Sequence, residues 1–226
     1  MAGAHEALEM SSPRDEVLAR IREALGRSDD DSAGREAARA RIERHERQIE
    51  PVFDEPFMQR FQDKLEAAHA TVALVGSLPA AAQEIERYLQ EVGAGSRLLT
   101  SREEMIEAIE WPATIEAQTG VASGEDAVSV TSALCGIAET GTLMLVSGEN
   151  NPTSLNFLPD YHIVVLRGEQ LVARMEDAWD RLRESHREMP RTVNFISGPS
   201  KTADVEQTVE YGAHGPRCLH VVIVDG

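Results

Sequence analysis

Three polar segments carry the residue types that can do chemistry. In the first, Glu139-Thr140-Gly141-Thr142 interrupts an apolar run, with Ile137 and Ala138 before it and Leu143 to Val146 after it. Packing alone does not ask for a carboxylate and two hydroxyls there. Gly141 admits a backbone conformation or a close approach that a side chain would block, and Thr140 and Thr142 add donors beside backbone N–H groups. A carboxylate held in such a place, Glu139, can act as a base, a nucleophile or a ligand contact. The competing reading is a β-bulge or hairpin turn with a solvated glutamate.

The second segment, FISGPSKTADVEQTV, predicts a strand ending at Ser197, a Gly-Pro turn, and a helix opened by Ser200, Lys201, Thr202 and Asp204. Exposed N–H groups and the dipole at a helix start favour phosphate or carboxylate, and Lys201 adds a point charge. The spacing is not that of a Walker motif. In open α/β sheets ligands gather beyond the carboxyl ends of the strands, which is where this turn is expected. Ordinary capping, with Ser200 or Thr202 at the N-cap and Asp204 or Glu206 closing a capping box, explains the same residues. In the third segment, YGAHGPRCLHVVIVD, two glycines and a proline surround His214 and Arg217, an imidazole and a guanidinium that a loop can present to an anion. A tight loop with an exposed histidine is the alternative. His162 and His220 lie within or at the edge of strand-like runs and read as structural. GENNPTSLNFLPDYH reads as a turn into one helical turn.

These segments need elements to position them. ATVALVG, RLLT, YHIVVLRG, TVNFISG and LHVVIVDG are short apolar runs without alternation, and helical patterns such as PAAAQEIERYLQEVG separate them. EQLVARMEDAWDRLRE places Leu171, Met175, Ala178, Trp179 and Leu182 on one helix face. Such an order predicts an α/β fold, a three-layer arrangement around a mostly parallel sheet covered on both faces. Ahead of it, Ser12-Pro13 with Val17, Leu18, Ile21 and Leu25 reads as a capped helix stopped at Gly26. The division expected is a helical segment over 1–54, with a flexible link near 26–35, and an α/β domain over 55–226.

Composition narrows the functions. With 226 residues, 42% hydrophobic and 27% charged, the chain can bury a substantial core. A formal net charge of −17 argues against nucleic acid as a partner, since phosphate binding needs a basic surface. Cys135 and Cys218 stand alone, without the spacing of an iron–sulfur or structural zinc site, so neither metal nor cofactor is expected. No window approaches the roughly 20 apolar residues of a membrane span, and the start of the chain lacks a secretory pattern, so a cytoplasmic location is expected.

Taken together, AETGTL, LPDYHIVV and FISGPSKTADVEQTVEYGAHGPRCLHVVIV resemble the LUD domain, the family of lactate-utilisation protein C, over about residues 55–226. The combination of ETGT, GPSxTAD and GxHGPR carries the likeness. It implies a fold similar to the sugar-isomerase and CoA-transferase-like α/β proteins. It also implies a place in a three-protein system that oxidises L-lactate to pyruvate, in which partners resembling iron–sulfur oxidoreductases hold the clusters. This chain fits the cluster-free member. The motif positions are Glu139, Thr140, Gly141, Thr142, Ser200, Thr202, Asp204 and His214, without assigned chemistry. CoA transferases of the related fold use a strand-end glutamate as nucleophile, a likeness to Glu139 that rests on fold alone.

Three readings follow. The first is a subunit of a lactate-oxidising complex that binds a small anionic ligand through Thr140, Gly141, Thr142, Ser200, Lys201, Thr202, Asp204 and Arg217, with Glu139 and His214 as candidate catalytic groups. The second is a stand-alone enzyme acting on a phosphorylated sugar or a thioester, with Glu139 as base or nucleophile. The third is a non-catalytic interaction module, suggested by the acidic surface and the charged helix over 35–50.

Overall fold

A computed structural model of the chain describes residues 12–28, 31–45, 47, 52–186, 188–203 and 209–226. The chain divides into two compact units, Met1–Val52 and Phe53–Gly226. In the first, Ser12 caps α1 (Pro13–Ala24) by accepting from the Asp15 N–H, and Pro13 sits where its missing N–H costs nothing. Asp31 caps α2 (Ser32–Arg44) in the same way through the Gly34 N–H. Neither helix buries a residue, and Val17, Ile21 and Leu25 lie exposed along α1.

The second unit begins with α3 (Phe57–Ala67) and β1 (Thr71–Val75). Ser77 then caps α4 (Leu78–Val92) through the Ala80 N–H, and Gly93, at φ 65°, ends it. There follow β2 (Arg97–Thr100), α5 (Glu104–Glu107), β3 (Glu116–Thr119), β4 (Val128–Ser132), β5 (Cys135–Ile137) and β6 (Thr142–Val146). A 3-10 turn over Thr153–Asn156 leads to β7 (Tyr161–Arg167), and then come β8 (Leu171–Val172), α6 (Met175–Ser185) and β9 (Val193–Ile196). The chain closes with β10 (Lys201–Ala203), β11 (Val209–Tyr211) and β12 (Cys218–Val224).

Six strands form a parallel sheet in the order β1-β12-β7-β4-β2-β3, the mostly parallel α/β sheet that the unalternating apolar runs predict. Its central strands are apolar on both faces because both faces are covered. Ile163 and Val165 of β7 pack with Ile85 and Leu89 of α4, while Val164 and Leu166 pack on the other side with Phe61 and Leu65 of α3. Each fully buried Ile or Leu contributes about 1.5–3 kcal/mol.

On the α3 side the chain adds a second, four-stranded sheet in the order β8-β5-β6-β9. Leu143 and Leu145 of β6 face the parallel sheet, while Met144, Cys135 and Ile137 face Ala178 and Leu182 of α6. Two expectations are corrected. Leu171 and Val172 pair with Gly136 and Ile137 instead of opening the following helix, which starts only where the Asp177 carboxylate accepts from the Arg174 N–H. The helix also does not open at Ser200 as expected: Lys201–Ala203 is a strand that pairs antiparallel with Val209–Tyr211. Thr202 and Tyr211 favour extended backbone, and cross-strand pairing prevails over capping.

Candidate functional site

The interruption at Glu139 to Thr142 is the turn that joins β5 to β6, closed by the Gly141 N–H donating to the Ile137 carbonyl at 3.0 Å. Gly141 sits at φ 63°, and a Cβ there would fall 2.5 Å from Lys64 Cβ and 2.8 Å from the Leu65 nitrogen. The turn thus lies directly on α3, where only glycine fits. Glu139 is strapped through its backbone: its N–H donates to the Ala173 carbonyl at 3.0 Å, and its carbonyl accepts from Arg60 Nη2 at 3.4 Å. Its side chain is half-buried. From the turn, a line of hydroxyls leads inward. Thr140 Oγ1 and the buried Thr142 Oγ1 lie 2.7 Å apart, and Thr142 Oγ1 lies 2.7 Å from Ser197 Oγ.

Ser197 follows β9, the neighbour of β6, and lines a cavity of about 240 Å³. The other two segments meet there. The Ser200 N–H donates to the Pro216 carbonyl (2.8 Å), the Gly212 N–H to the Ser200 carbonyl (2.9 Å) and the His214 N–H to Ser200 Oγ (3.4 Å). These bonds tie the Gly-Pro-Ser turn to the Gly-Ala-His-Gly-Pro loop, so Ser200 and His214 face one space. The apolar walls include Phe157, Phe195, Ile196 and Leu219.

The cavity does not lie at the carboxyl ends of the parallel strands, where the turn was expected. Its deep residues, His162 and Leu219, are neighbours near the amino ends of β7 and β12. The reason is that β9 belongs to the second sheet, so its carboxyl end opens over the start of the first.

Other candidates lie apart from this space. Lys201 is exposed on β10 and Thr202 is half-buried, and neither lines the cavity. Asp204 falls outside the described residues. Arg217 pairs with Asp160 at 3.3 Å and borders a different cavity, one that also takes in Tyr88 and His220. Glu139, Thr140, Gly141 and Thr142 stop short of the lining, with Ser197 as the link.

Residues that sequence reasoning passed over complete the site. Asn156, the last residue of the 3-10 turn, is 1% exposed and His162 is 1% exposed; both line the cavity. The turn is anchored to β4 by Ser129 Oγ, which donates to the Leu155 carbonyl at 2.6 Å. His162 Nε2 lies 2.8 Å from Thr131 Oγ1, while its Nδ1 and both amide atoms of Asn156 have no protein partner. Burial pushes the His162 pKa down to about 3, so the ring is neutral at physiological pH.

Two further polar clusters sit elsewhere. His220 stacks on Tyr88 with centroids 4.1 Å apart, contacts Thr71 Oγ1 through Nδ1 at 2.8 Å, and has Nε2 3.4 Å from Glu84. Burial lowers its pKa to about 4, against the pull of the Glu84 carboxylate. At the carboxyl ends of β2 and β4, Glu103 Oε2 accepts from Ser101 Oγ and the Ser132 N–H, each at 2.9 Å, and burial raises its pKa. Both cysteines are free thiols, and among the described residues no group of His, Cys, Asp and Glu is placed to hold a metal. No described helix is long and apolar enough to cross a membrane.

Comparison with known proteins adds a family. The LUD domain matches residues 58–224. The chain is 37% identical over 102 residues to lactate utilization protein C of Halalkalibacterium halodurans, covering 43% of this chain and 44% of that protein. It is 41% identical over 92 residues to the uncharacterized protein NMB1437 of Neisseria meningitidis, covering 41% of this chain and 40% of that protein. The chain thus spans less than half the length of these curated relatives. The crystal structure of a DUF162 family protein from Deinococcus radiodurans superposes with a TM-score of 0.60 at 21% identity, covering 77% of this chain and 99% of that one, a likeness of fold.

Proposed function

Because the chain belongs to the LUD domain family, we propose that it serves lactate utilisation, as the cluster-free component of a system that oxidises L-lactate to pyruvate. Its partners in this reading are iron–sulfur oxidoreductases, and it works in the cytoplasm. The likeness to lactate utilization protein C supports the process. The observation that carries the site is the convergence of Ser197, Ser200 and His214 on one cavity, with the Glu139–Thr142 turn joined to it through hydroxyls.

Within that cavity the chemistry available is hydrogen bonding, from the hydroxyls of Ser197 and Ser200 and from the His214 imidazole at the mouth. Such a set binds and orients a small carboxylate. Glu139 contributes by holding the turn through its backbone, and its carboxylate remains outside the lining.

The test is genetic. Deleting the coding sequence from its host should abolish growth on L-lactate and spare growth on pyruvate. Restoring the wild-type chain should rescue growth, and a chain with Ser200→Ala and His214→Ala together should not. Unimpaired growth of the deletion strain on L-lactate would overturn the process; full rescue by the double variant would overturn the site.

A further inference from the structure

The floor of the cavity holds a feature that packing does not explain. Asn156 carries a donor and an acceptor, and His162 carries Nδ1, all buried and with no protein group to meet any of them. Both residues are 1% exposed. Buried polar groups in folded proteins are almost always paired, because leaving one bare forfeits its hydration. Two such side chains lining one small cavity point to a ligand that pairs with them.

The charge of the lining says what kind of ligand. No lysine, arginine, aspartate or glutamate is among the described residues that line it. Arg217, the nearest cation in sequence to the loop, is paired with Asp160 at 3.3 Å. A phosphate dianion would shed its water there and meet no fixed positive charge, whereas a single carboxylate at the mouth can be met by Ser200 and His214. The neutral floor suits a hydroxyl or an oxo group: the amide can donate or accept, and the imidazole nitrogen takes whichever role its tautomer allows.

Resting on the reading of this cavity as the site for lactate utilisation, we propose that Asn156 and His162 form its recognition floor. They admit a short 2-hydroxy- or 2-oxo-carboxylate in preference to a phosphorylated or CoA-borne ligand. The carboxylate lies toward Ser200 and His214, and the hydroxyl or oxo oxygen lies on the floor.

Calorimetric titration of the full chain with L-lactate, pyruvate, propionate, inorganic phosphate and CoA tests it. Lactate or pyruvate should bind at least tenfold more tightly than propionate, which has the same carboxylate and no second oxygen. Asn156→Leu, of similar volume, should erase that preference and at the same time raise the melting temperature of the free protein, since it removes an unpaired buried amide. A purely structural asparagine would instead lower the melting temperature when replaced. If Asn156→Leu does not fold, Asn156→Asp serves, and it should weaken lactate or pyruvate at least tenfold. Equal binding of propionate, or a preference that survives both substitutions, overturns the proposal. Phosphate or CoA binding more tightly, and lost in Ser200→Ala, overturns the floor and leaves the cavity as a site. No binding by any probe overturns both.

Discussion

Replacing Gly141 by alanine should cost the α/β unit far more than an ordinary surface substitution. Two separable effects add there. The residue sits at φ 63°, where a side chain is strained by about 1 kcal/mol. The new Cβ would also lie 2.5 Å from Lys64 Cβ and 2.8 Å from the Leu65 nitrogen, and the latter is helix backbone that cannot swing aside. Either the turn or α3 must shift, which adds about 2 kcal/mol on the scale of overpacked cores. The sum, about 3 kcal/mol, corresponds to a fall of about 6–12 °C in melting temperature for a unit of this size. Urea unfolding followed by far-UV circular dichroism measures it. Gly148→Ala is the control, because nothing lies within 4 Å of its added Cβ, and it should change stability by no more than about 0.5 kcal/mol. A loss under about 1 kcal/mol in Gly141→Ala would refute the reasoning, since the turn would then not be pinned against the helix.

Thr142→Val keeps the shape of a buried residue and removes the hydroxyl between Thr140 and Ser197; it should cost about 1 kcal/mol, and a cycle with Ser197→Ala should show the two losses to be less than additive. His162 binds its proton with a pKa lowered to about 3 in the folded chain, against about 6.5 unfolded. The unfolded state therefore takes up the proton first as pH falls, and stability drops by about 1.4 kcal/mol per pH unit between roughly pH 6 and 4. His162→Gln should remove that share of the slope, and an unchanged slope would contradict it. Glu103 behaves in the opposite sense. Its raised folded pKa means that the folded state holds the proton longer, so its effect is to lose stability as pH climbs from about 4.5 through the folded value. Glu103→Gln, whose carbonyl can accept the same bonds from Ser101 and Ser132, should be more stable than the wild type at pH 7 by urea unfolding, and equal or lower stability there would count against the buried charge.

Much of the architecture is legible in the sequence because it depends on long apolar runs and strong punctuation. Val221 to Val224 and Ile163 to Leu166 read as doubly covered strands, and the helical run that starts at Pro79 and stops at Gly93 marks α4. What escapes is built from pairs too short for any periodicity to register. Leu171–Val172 becomes a strand only because it finds Gly136 and Ile137, and Cys135–Ile137 because it lies between that pair and Thr142–Met144. Lys201–Ala203 has turn and cap residues around it, and nothing local announces that Val209–Tyr211 returns to pair with it.

The site divides along the same line. Ser200 and His214 stand out because glycines and prolines flank hydroxyl and imidazole, and backbone bonds between the two loops bring them together. The direction in which a charge faces is not written locally, which is why Lys201 and Arg217 look like anion ligands in the sequence and border other space in the fold. His162 is hidden in an apolar run, and Asn156 in a short turn without chemical signature. Only the topology, which sets the end of β9 over the start of β7, places them at the bottom of the same cavity.

The central claim is that the cavity under Ser197, Ser200 and His214 is where this protein meets the chemistry of lactate utilisation. The most direct measurement is lactate-dependent reduction of an artificial electron acceptor by the purified chain combined with the iron–sulfur oxidoreductases of its host, comparing the wild type with Ser200→Ala, His214→Ala and the surface control Arg14→Ala. The account predicts that omission of the chain abolishes reduction, that each cavity variant lowers it at least tenfold, and that the control leaves it unchanged. Full activity without the chain, or cavity variants as active as the control, would contradict it.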